Sequence, residues 1–419
     1  MMRESIVTGI DIGTTKICAV IAEQELSGEL NILGVGTVPS HGLKRGVVVN
    51  LEKTISSISN AVEEAERMAG VNINGAYVGI GGNHIRSMNS DAVIAVSKSE
   101  SKRGLRHGEI TEDDIERVTE AAMAVLTGLD REILHVLPQE YAVDDQYGIK
   151  SPIGIIGMKL ESKVHIVTCS ATSCKNIVKA VNRSDIIVNN LVLEPLASSY
   201  AVLDEEEKEL GVTLIDFGGG TTDVALFFNG AVRHTAVVGL GSDNVTNDIA
   251  YMLRTPREQA EEIKCEYGCA KQSLVSKDEY LKLKSIGGRS PREISRMLLA
   301  SYIEPRVEEI LKMAKMEMKK CDRYDMLAGG VVLTGGGAKL NGLVELAQDI
   351  FEQPVKIGKP APVKGLTDLV SEPQFATVIG LLNYAVSPEG ASESYLPNEK
   401  PTFRRVMEKI IHTVTDFFV

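Results

Sequence analysis

The sequence contains no window approaching about 18 consecutive apolar residues, which excludes a hydrophobic helix that crosses a membrane. It leaves no room for a secretory leader, because Met1-Met2-Arg3-Glu4-Ser5 runs straight into a strand-like segment, so a cytosolic chain is expected. It also lacks a cysteine framework. The six cysteines (18, 169, 174, 265, 269 and 321) are scattered, and Cys265 and Cys269 stand four apart with no second pair to complete a zinc set. Reduced, mostly buried thiols are expected. Basic charge is in deficit: 45 Lys and Arg against 57 Asp and Glu leave a net charge of −12. That balance argues against general nucleic-acid binding, and it makes any locally basic segment more informative.

What remains is ordinary globular composition, 43% apolar and 24% charged, over 419 residues. That length exceeds what one hydrophobic core organises, so two or more domains are expected. The order of elements indicates a duplication. A strand (Ile6 to Asp11), a glycine turn, a strand (Ile17 to Ala22), a Ser27-Gly28 turn and a third strand (Asn31 to Val38) open the chain. A helix follows, with Leu51, Ile55, Ile58, Val62 and Ala65 at 3–4 spacing. Residues 212 to 253 repeat the order: Val212 to Asp216, Gly218-Gly219-Gly220, Asp223 to Phe228, an Asn229-Gly230 hairpin turn, Val232 to Val238, then a helix from about Asp243. Each copy opens with Asp-x-Gly at a strand end. Two such halves face each other across a cleft in an α/β fold, with helices packed on the sheets. Residues of about 84 to 162, including the charged stretch Ser97 to His107 and a helix Glu112 to Leu126, and a largely helical block of about 242 to 305, are expected as insertions.

Asp11-Ile12-Gly13-Thr14-Thr15-Lys16 and Asp216-Phe217-Gly218-Gly219-Gly220-Thr221-Thr222-Asp223 carry the chemistry. Glycines let backbone N–H groups approach phosphate oxygens, threonine hydroxyls add donors, and Lys16 supplies a point charge. Asp11 and Asp216, one per half, suit Mg²⁺ held mostly through water. Either loop alone is as well explained by a plain hairpin turn; two in matching positions of a repeat are not. Gly335-Gly336-Gly337 follows the strand Val331 to Thr334 and precedes a helix, Leu340 to Phe351. Bare backbone there suits close approach of a base or ribose, although on these residues alone a packing turn explains it better.

Residues 387 to 401, polar and carrying Pro388, Pro397 and Pro401, read as a flexible tether. Beyond them Phe403, Val406, Met407, Ile410, Ile411, Val414, Phe417 and Phe418 form one apolar helical stripe. Arg404, Arg405 and Lys409 stand on the other face, near its start. The alternative is a helix docked on the protein's own core. The tether, the terminal aromatics and the basic cluster in an acidic chain favour an interfacial helix on an anionic membrane. Each inserted side chain contributes up to ~1.5–3 kcal/mol before ordering costs.

Taken together these motifs resemble the actin/Hsp70/sugar-kinase ATPase superfamily, and within it the FtsA family of bacterial cell division. The phrases Gly9 to Lys16, His41 to Gly46, Val78 to Gly82, His135 to Gln139 and Gly239 to Asn244 carry the closer likeness. The resemblance implies an actin-like duplicated ATPase fold with two lobes around a nucleotide cleft. Subdomain 1A would comprise 1–83, 163–195 and 366–386; an inserted FtsA-type subdomain 1C, 84–162; 2A, 196–241 and 306–365; 2B, 242–305; the tether, 387–401; and the membrane helix, 402–419. It implies two connecting helices, around Val192 to Ala197 and Ala376 to Ala385. ATP would contact Gly13, Thr14, Thr15, Lys16, Gly218, Gly219, Gly220, Thr221, Thr222, Gly241, Asn244, Glu261, Lys264, Gly335, Gly336 and Gly337. Asp11 and Asp216 would serve Mg²⁺ through water, and Glu194 would position water or the metal shell. It further implies filaments of this chain, other division proteins as partners, and the C-terminal tail of the tubulin-like protein FtsZ on 2B, where Arg289, Arg292 and Arg296 are candidates. A sugar kinase, an Hsp70-like chaperone and a PilM-like pilus protein are the competing readings. They want, respectively, a second substrate pocket, a β-rich peptide domain, and no terminal helix.

Overall fold

The computed structural model describes residues 5–96, 108–125, 130–283 and 292–391. The first lobe opens with β1 (Ser5–Ile12), β2 (Lys16–Gln24), β3 (Leu30–Pro39), helix α1 (Leu51–Ala69) and β4 (Gly75–Ile80). The near-continuous apolar run of β2 is explained by burial on both faces. Ile17, Ala19 and Ile21 enter one core cluster, and Cys18, Val20 and Ala22 enter another. Helix α1 starts where the Asn50 side chain accepts from the Lys53 N–H (3.0 Å) and ends at left-handed Gly70. It lies tightly on β3, because a Cβ at Gly36 would stand 1.9 Å from the Ala61 carbonyl oxygen.

The insertion follows as β5 (Arg86–Ala95), α2 (Glu112–Met123), β6 (Arg131–Val143), β7 (Gln146–Ile149) and β8 (Lys159–Ser170). The strands form an antiparallel sheet in the order β7-β6-β8-β5, with α2 against it. Residues 97–107 and the expected helix end at Leu126 lie outside the described residues. Strand β8 serves two cores: Leu160, Val164 and Ile166 pack inside the insertion, while Val167 and Cys169 pack in the first lobe. It therefore runs through position 162 without a break.

The chain returns through α3 (Ala171–Asn182), β9 (Ile187–Leu193) and α4 (Glu194–Val202). Val192 and Leu193, read from the sequence as helix, belong to β9. The second lobe contains β10 (Val212–Phe217), β11 (Thr222–Phe228), β12 (Ala231–Val238), α5 (Ser242–Leu253), α6 (Arg257–Tyr267), a hairpin of β13 (Tyr280–Leu283) and β14 (Arg292–Ser295), α7 (Arg296–Met318), β15 (Val331–Thr334), α8 (Leu343–Phe351) and β16 (Val355–Ile357). Helix α9 (Ala376–Val386) closes the first lobe. The hairpin makes the block 242–305 less helical than expected, and α7 runs through its expected end at 305.

The duplication extends past the three strands legible in the sequence. The first sheet runs β3-β2-β1-β4-β9 with Lys364–Gly365 beside β3, and the second runs β12-β11-β10-β15-β16. In both, an antiparallel meander is extended by two parallel strands beside its first member. Asn229 and Gly230 both take positive φ, 54° and 75°, as a hairpin turn of that sequence requires.

Two expectations need correction. Cys169 and Cys174 are disulfide-bonded, because α3 begins directly after β8 and brings them together; Cys18, Cys269 and Cys321 are buried free thiols and Cys265 is exposed. The tether does not begin at 387 either. Pro388–Ala391 form a helical turn in which the Tyr77 hydroxyl donates to the Gly390 carbonyl (3.2 Å). Residues 392–419, with the whole Phe403 to Phe418 stripe, lie outside the described residues.

The lobes are joined where α4 crosses α9, which pack closely because a Cβ on Gly380 would meet the Ala197 carbonyl oxygen at 1.8 Å. Gly380→Ala is expected to push these helices apart and to cost on the order of 1–3 kcal/mol, read as a lowered melting temperature. Unchanged melting would show that the crossing tolerates a methyl group.

Candidate functional site

The turn after β1 and the turn after β10 meet across the junction of the lobes. A Cβ at Gly219 would fall 2.5 Å from Thr15 Cγ2, and one at Gly220 2.5 Å from Thr14 Oγ1. Only glycine allows the two loops this approach. The Gly46 N–H donates to Thr14 Oγ1 (3.1 Å), which steadies the first loop. The second loop is held by α5: the N–H groups of Ser242 and Asp243 donate to the carbonyls of Gly218 and Gly219 (both 2.9 Å).

Behind the loops lies a cavity of about 430 Å³, within the size range of small-molecule sites. Four carboxylates converge on it: Asp11 from β1, Glu194 at the start of α4, and Asp216 and Asp223 from β10 and β11. Asp216 and Asp223 are direct cross-strand partners, an arrangement that places like charges side by side. Ser198 on α4 donates to Asp216 Oδ2 (2.8 Å) and Thr377 on α9 donates to the same oxygen (3.3 Å), so both connecting helices hold one carboxylate. Thr221 donates to Asp223 Oδ2 (3.0 Å), while Asp223 Oδ1 is buried without a protein partner. Room for Glu194 is left by Gly81, whose Cβ would stand 2.2 Å from Oε2.

The electrostatics follow from burial. Desolvation raises Asp11 to about 6, with Lys16 opposing and Asp216 adding. Asp223 is pushed up to about 8 by burial and by the Asp216 charge. Glu194 rises well above the carboxylate range through burial and then its three acidic neighbours. Burial also raises Asp216, against its hydroxyl donors and Lys16. An orphaned buried oxygen among crowded carboxylates that three hydroxyls and one lysine relieve only in part fits a hard divalent cation with oxygen ligands.

The remaining wall suits a nucleotide. Lys16 Nζ donates to the Gln374 carbonyl (2.6 Å) and lies 4.4 Å over the Phe375 ring. Lys264 Nζ pairs with Glu261 (2.8 Å) and donates to Thr246 Oγ1 (2.9 Å) at the opposite side of the cavity. Gly335, with φ 84°, leaves space for Asp216, whose Oδ1 would be 2.3 Å from a Cβ. Gly336 faces open space, with only Gln374 Cβ at 3.9 Å.

Two family models match the chain: cell division protein FtsA over residues 213–380, and the SHS2 domain inserted in FtsA over residues 82–168. The cell division protein FtsA of Pseudomonas aeruginosa is 48% identical over 383 residues, covering 91% of this chain and 90% of that protein. That of Escherichia coli K12 is 41% identical over 412 residues, covering 97% and 94%. The chain belongs to the FtsA family. In fold it is also similar to the PilM-PilN type IV pilus biogenesis complex, with a TM-score of 0.67, 16% identity and coverage of 92% of this chain and 100% of that one. The ethanolamine utilization protein EutJ from Carboxydothermus hydrogenoformans aligns with a TM-score of 0.51 at 15% identity, covering 91% and 90%. At such identities the likeness concerns the fold alone, which is the actin-like ATPase fold.

Most residues singled out from the sequence reach the cavity: Gly13 to Lys16, Gly218 to Thr221, Glu261, Lys264 and Gly335 to Gly337, with Asp11, Glu194 and Asp216. Thr222, Gly241 and Asn244 are not among its lining residues. The Thr222 hydroxyl donates to the Leu240 carbonyl (2.9 Å), and Asn244 Oδ1 accepts from the Gly241 N–H (3.1 Å), so they brace the second loop from behind. Arg296 pairs with Glu279 and donates Nε to the Tyr267 carbonyl (2.9 Å), which ties the β13–β14 hairpin to α6. Arg289 and the side chain of Arg292 lie outside the described residues. Asp223, Ser198, Gln374 and Thr377 carried no assigned role. Asp223 was visible in the motif, and Ser198 stands i+4 from Glu194 on the same helix face; Gln374 and Thr377 had no local signal.

A carboxyl raised on folding stabilises fully below its unfolded value near 4 and loses that contribution as pH rises through its folded value. Here the loss falls through about 6 for Asp11 and about 8 for Asp223. Without ligand, wild type is expected to lose stability relative to Asp223→Asn as pH rises from about 6 to about 8.5, by thermal melting; parallel curves would refute the shared-charge cluster. In addition, Gly336→Asp is expected to abolish ATP binding by calorimetry while leaving the ligand-free melting temperature unchanged, since its side chain enters the cavity rather than the core. Wild-type affinity in that variant would remove the adenosine-loop assignment.

Proposed function

We propose that this chain is an ATP-binding, membrane-associated member of its family that polymerises and tethers the FtsZ ring to the cytoplasmic face of the membrane at the division site, where it helps recruit later division proteins. The observation that carries the reading is the cavity built jointly by both lobes, lined by both phosphate-type loops and by the carboxylate cluster. The two loops would hold the phosphates of ATP, and Asp11, Asp216 and Glu194, with Asp223 added to that set, would hold Mg²⁺ through water. Glu261 and Lys264 address ribose and base. Nucleotide acts chiefly as a brace between lobes, with slow hydrolysis at most.

Filament formation and membrane attachment support each other in this scheme. A single helix with the Phe403 to Phe418 stripe binds reversibly, and a row of linked copies binds far more firmly. The FtsZ tail is taken by the 242–305 block, where Leu274 and Tyr280 are exposed and suit an acidic peptide with apolar anchors. Because Arg296 is engaged within the block, Arg289 and Arg292 remain the candidates for its charge.

Co-sedimentation with anionic liposomes, comparing the full chain with one ending before Pro401, tests the reading. Only the full chain is expected to pellet, and more of it with ATP-Mg. Both forms remaining in the supernatant would mean a self-docked terminal helix and would sink the tethering role.

A further inference from the structure

The inserted domain touches more than the lobe that carries it. Strand β12 is the edge of the second lobe's sheet, paired with β11 on one side alone. Its carbonyls are met by side chains from the inserted sheet. Ser87 Oγ donates to the Thr235 carbonyl (2.6 Å) and Asn89 Nδ2 to that of Arg233 (3.1 Å). Gln139 Nε2 donates to the carbonyls of Val232 (2.8 Å) and Arg233 (3.2 Å). His165 stands between the two bodies, with Nδ1 2.6 Å from Asn89 Oδ1 and Nε2 2.9 Å from Thr235 Oγ1.

Asn89 has its amide nitrogen committed to a carbonyl, so its oxygen accepts from His165 Nδ1–H. In the neutral ring that burial favours, His165 Nε2 accepts from the Thr235 hydroxyl. Burial, with His234 adding, lowers the imidazole pKa to about 3, so the group is not a proton switch near neutrality. Around it, Arg233 approaches Glu140 (3.6 Å), Lys150 pairs with Glu209 (2.7 Å), and Leu134 and Val167 of the inserted strands share a core cluster with Phe227 and Val232.

The contact reaches the carboxylate cluster along one strand. Thr235 is two residues from Val237, and Val237 is the cross-strand partner of Asp223. Any shift of β12 against the inserted sheet therefore moves Asp223 relative to Asp11 and Glu194, which belong to the other lobe.

We propose that Ser87, Asn89, Gln139 and His165 form a polar clamp on β12 through which the orientation of the inserted domain and the state of the nucleotide cleft are coupled. These are positioning residues, since none lines the cavity. The coupling is reciprocal: nucleotide that holds the lobes together stiffens the clamp, and a partner that turns the inserted domain loosens the cleft. This rests on the nucleotide reading of the cavity for its ligand, but not for its mechanical part.

Two measurements on the full chain decide it, with Gln139→Ala plus Ser87→Ala as the variant and Gln139→Ala alone where the pair fails to fold. In the ligand-free protein, amide exchange in residues 216–224 is expected to accelerate roughly fivefold or more, the scale of one or two neutral hydrogen bonds lost. With a fluorescent ATP analogue, dissociation is expected to accelerate to a similar extent. Faster exchange confined to β12, with 216–224 unchanged, overturns the proposal. So does an unchanged dissociation rate in a variant whose wild-type parent binds nucleotide. A wild type that binds no nucleotide would instead overturn the cleft reading, and the exchange result in ligand-free protein would still decide the clamp.

Discussion

Four buried carboxylates facing one another at the lobe junction are the constraint around which this molecule is organised. Burying like charges is costly unless something relieves them. Around this cluster the chain places hydroxyls from both connecting helices, a lysine at one edge, and a glycine wherever a side chain would block approach. Two of the carboxylates come from the first lobe and two from the second, so whatever relieves the repulsion also draws the lobes together. That is how a small bound species can set the geometry of a protein this size without any large interface of its own.

The joint between the lobes is a helix crossing backed by a core cluster that both lobes share. Helices α4 and α9 cross at Ala197 and Gly380, and Ser198 and Thr377, close to that crossing, both bond Asp216. A rotation of one lobe must pass through this crossing and so is felt at the carboxylate. The inserted domain adds a second path. Its strand β8 is rooted in the core of the first lobe, while its sheet face lies against the edge of the second lobe's sheet. The inserted domain is thus a tie between the two halves.

Much of this was legible locally because it depends on spacing along the chain. The strand-turn-strand-turn-strand order, the Asn229-Gly230 turn and the helix from Leu51 all follow from period and turn chemistry, and the structure bears them out. The glycine loops were legible for the same reason, since Asp-x-Gly at a strand end is a local pattern. Harder were residues whose meaning depends on register. Thr222 alternates away from the cavity while Asp223 points into it, and a one-residue difference along β11 separates a brace from a carboxylate of the cavity wall. Arg296 looked like a free basic residue on a helix face, but the β13–β14 hairpin brings Glu279 against it. Cys169 and Cys174 looked unrelated until the chain turned from β8 directly into α3.

The sequence by itself determined the duplicated α/β architecture, both phosphate-type loops and family membership, because hydrophobic period, turn residues and motif spacing are properties of neighbours along the chain. Only the tertiary structure decided which acids share one site, that α4 and α9 clasp Asp216, and that the inserted sheet caps β12. Those contacts join different elements and lobes, some of them residues more than a hundred positions apart, such as Thr377 and Asp216 or Ser87 and Thr235, and their energies depend on burial and on which face of a strand a side chain takes. No local pattern carries either quantity, since both arise only when the two halves fold against each other.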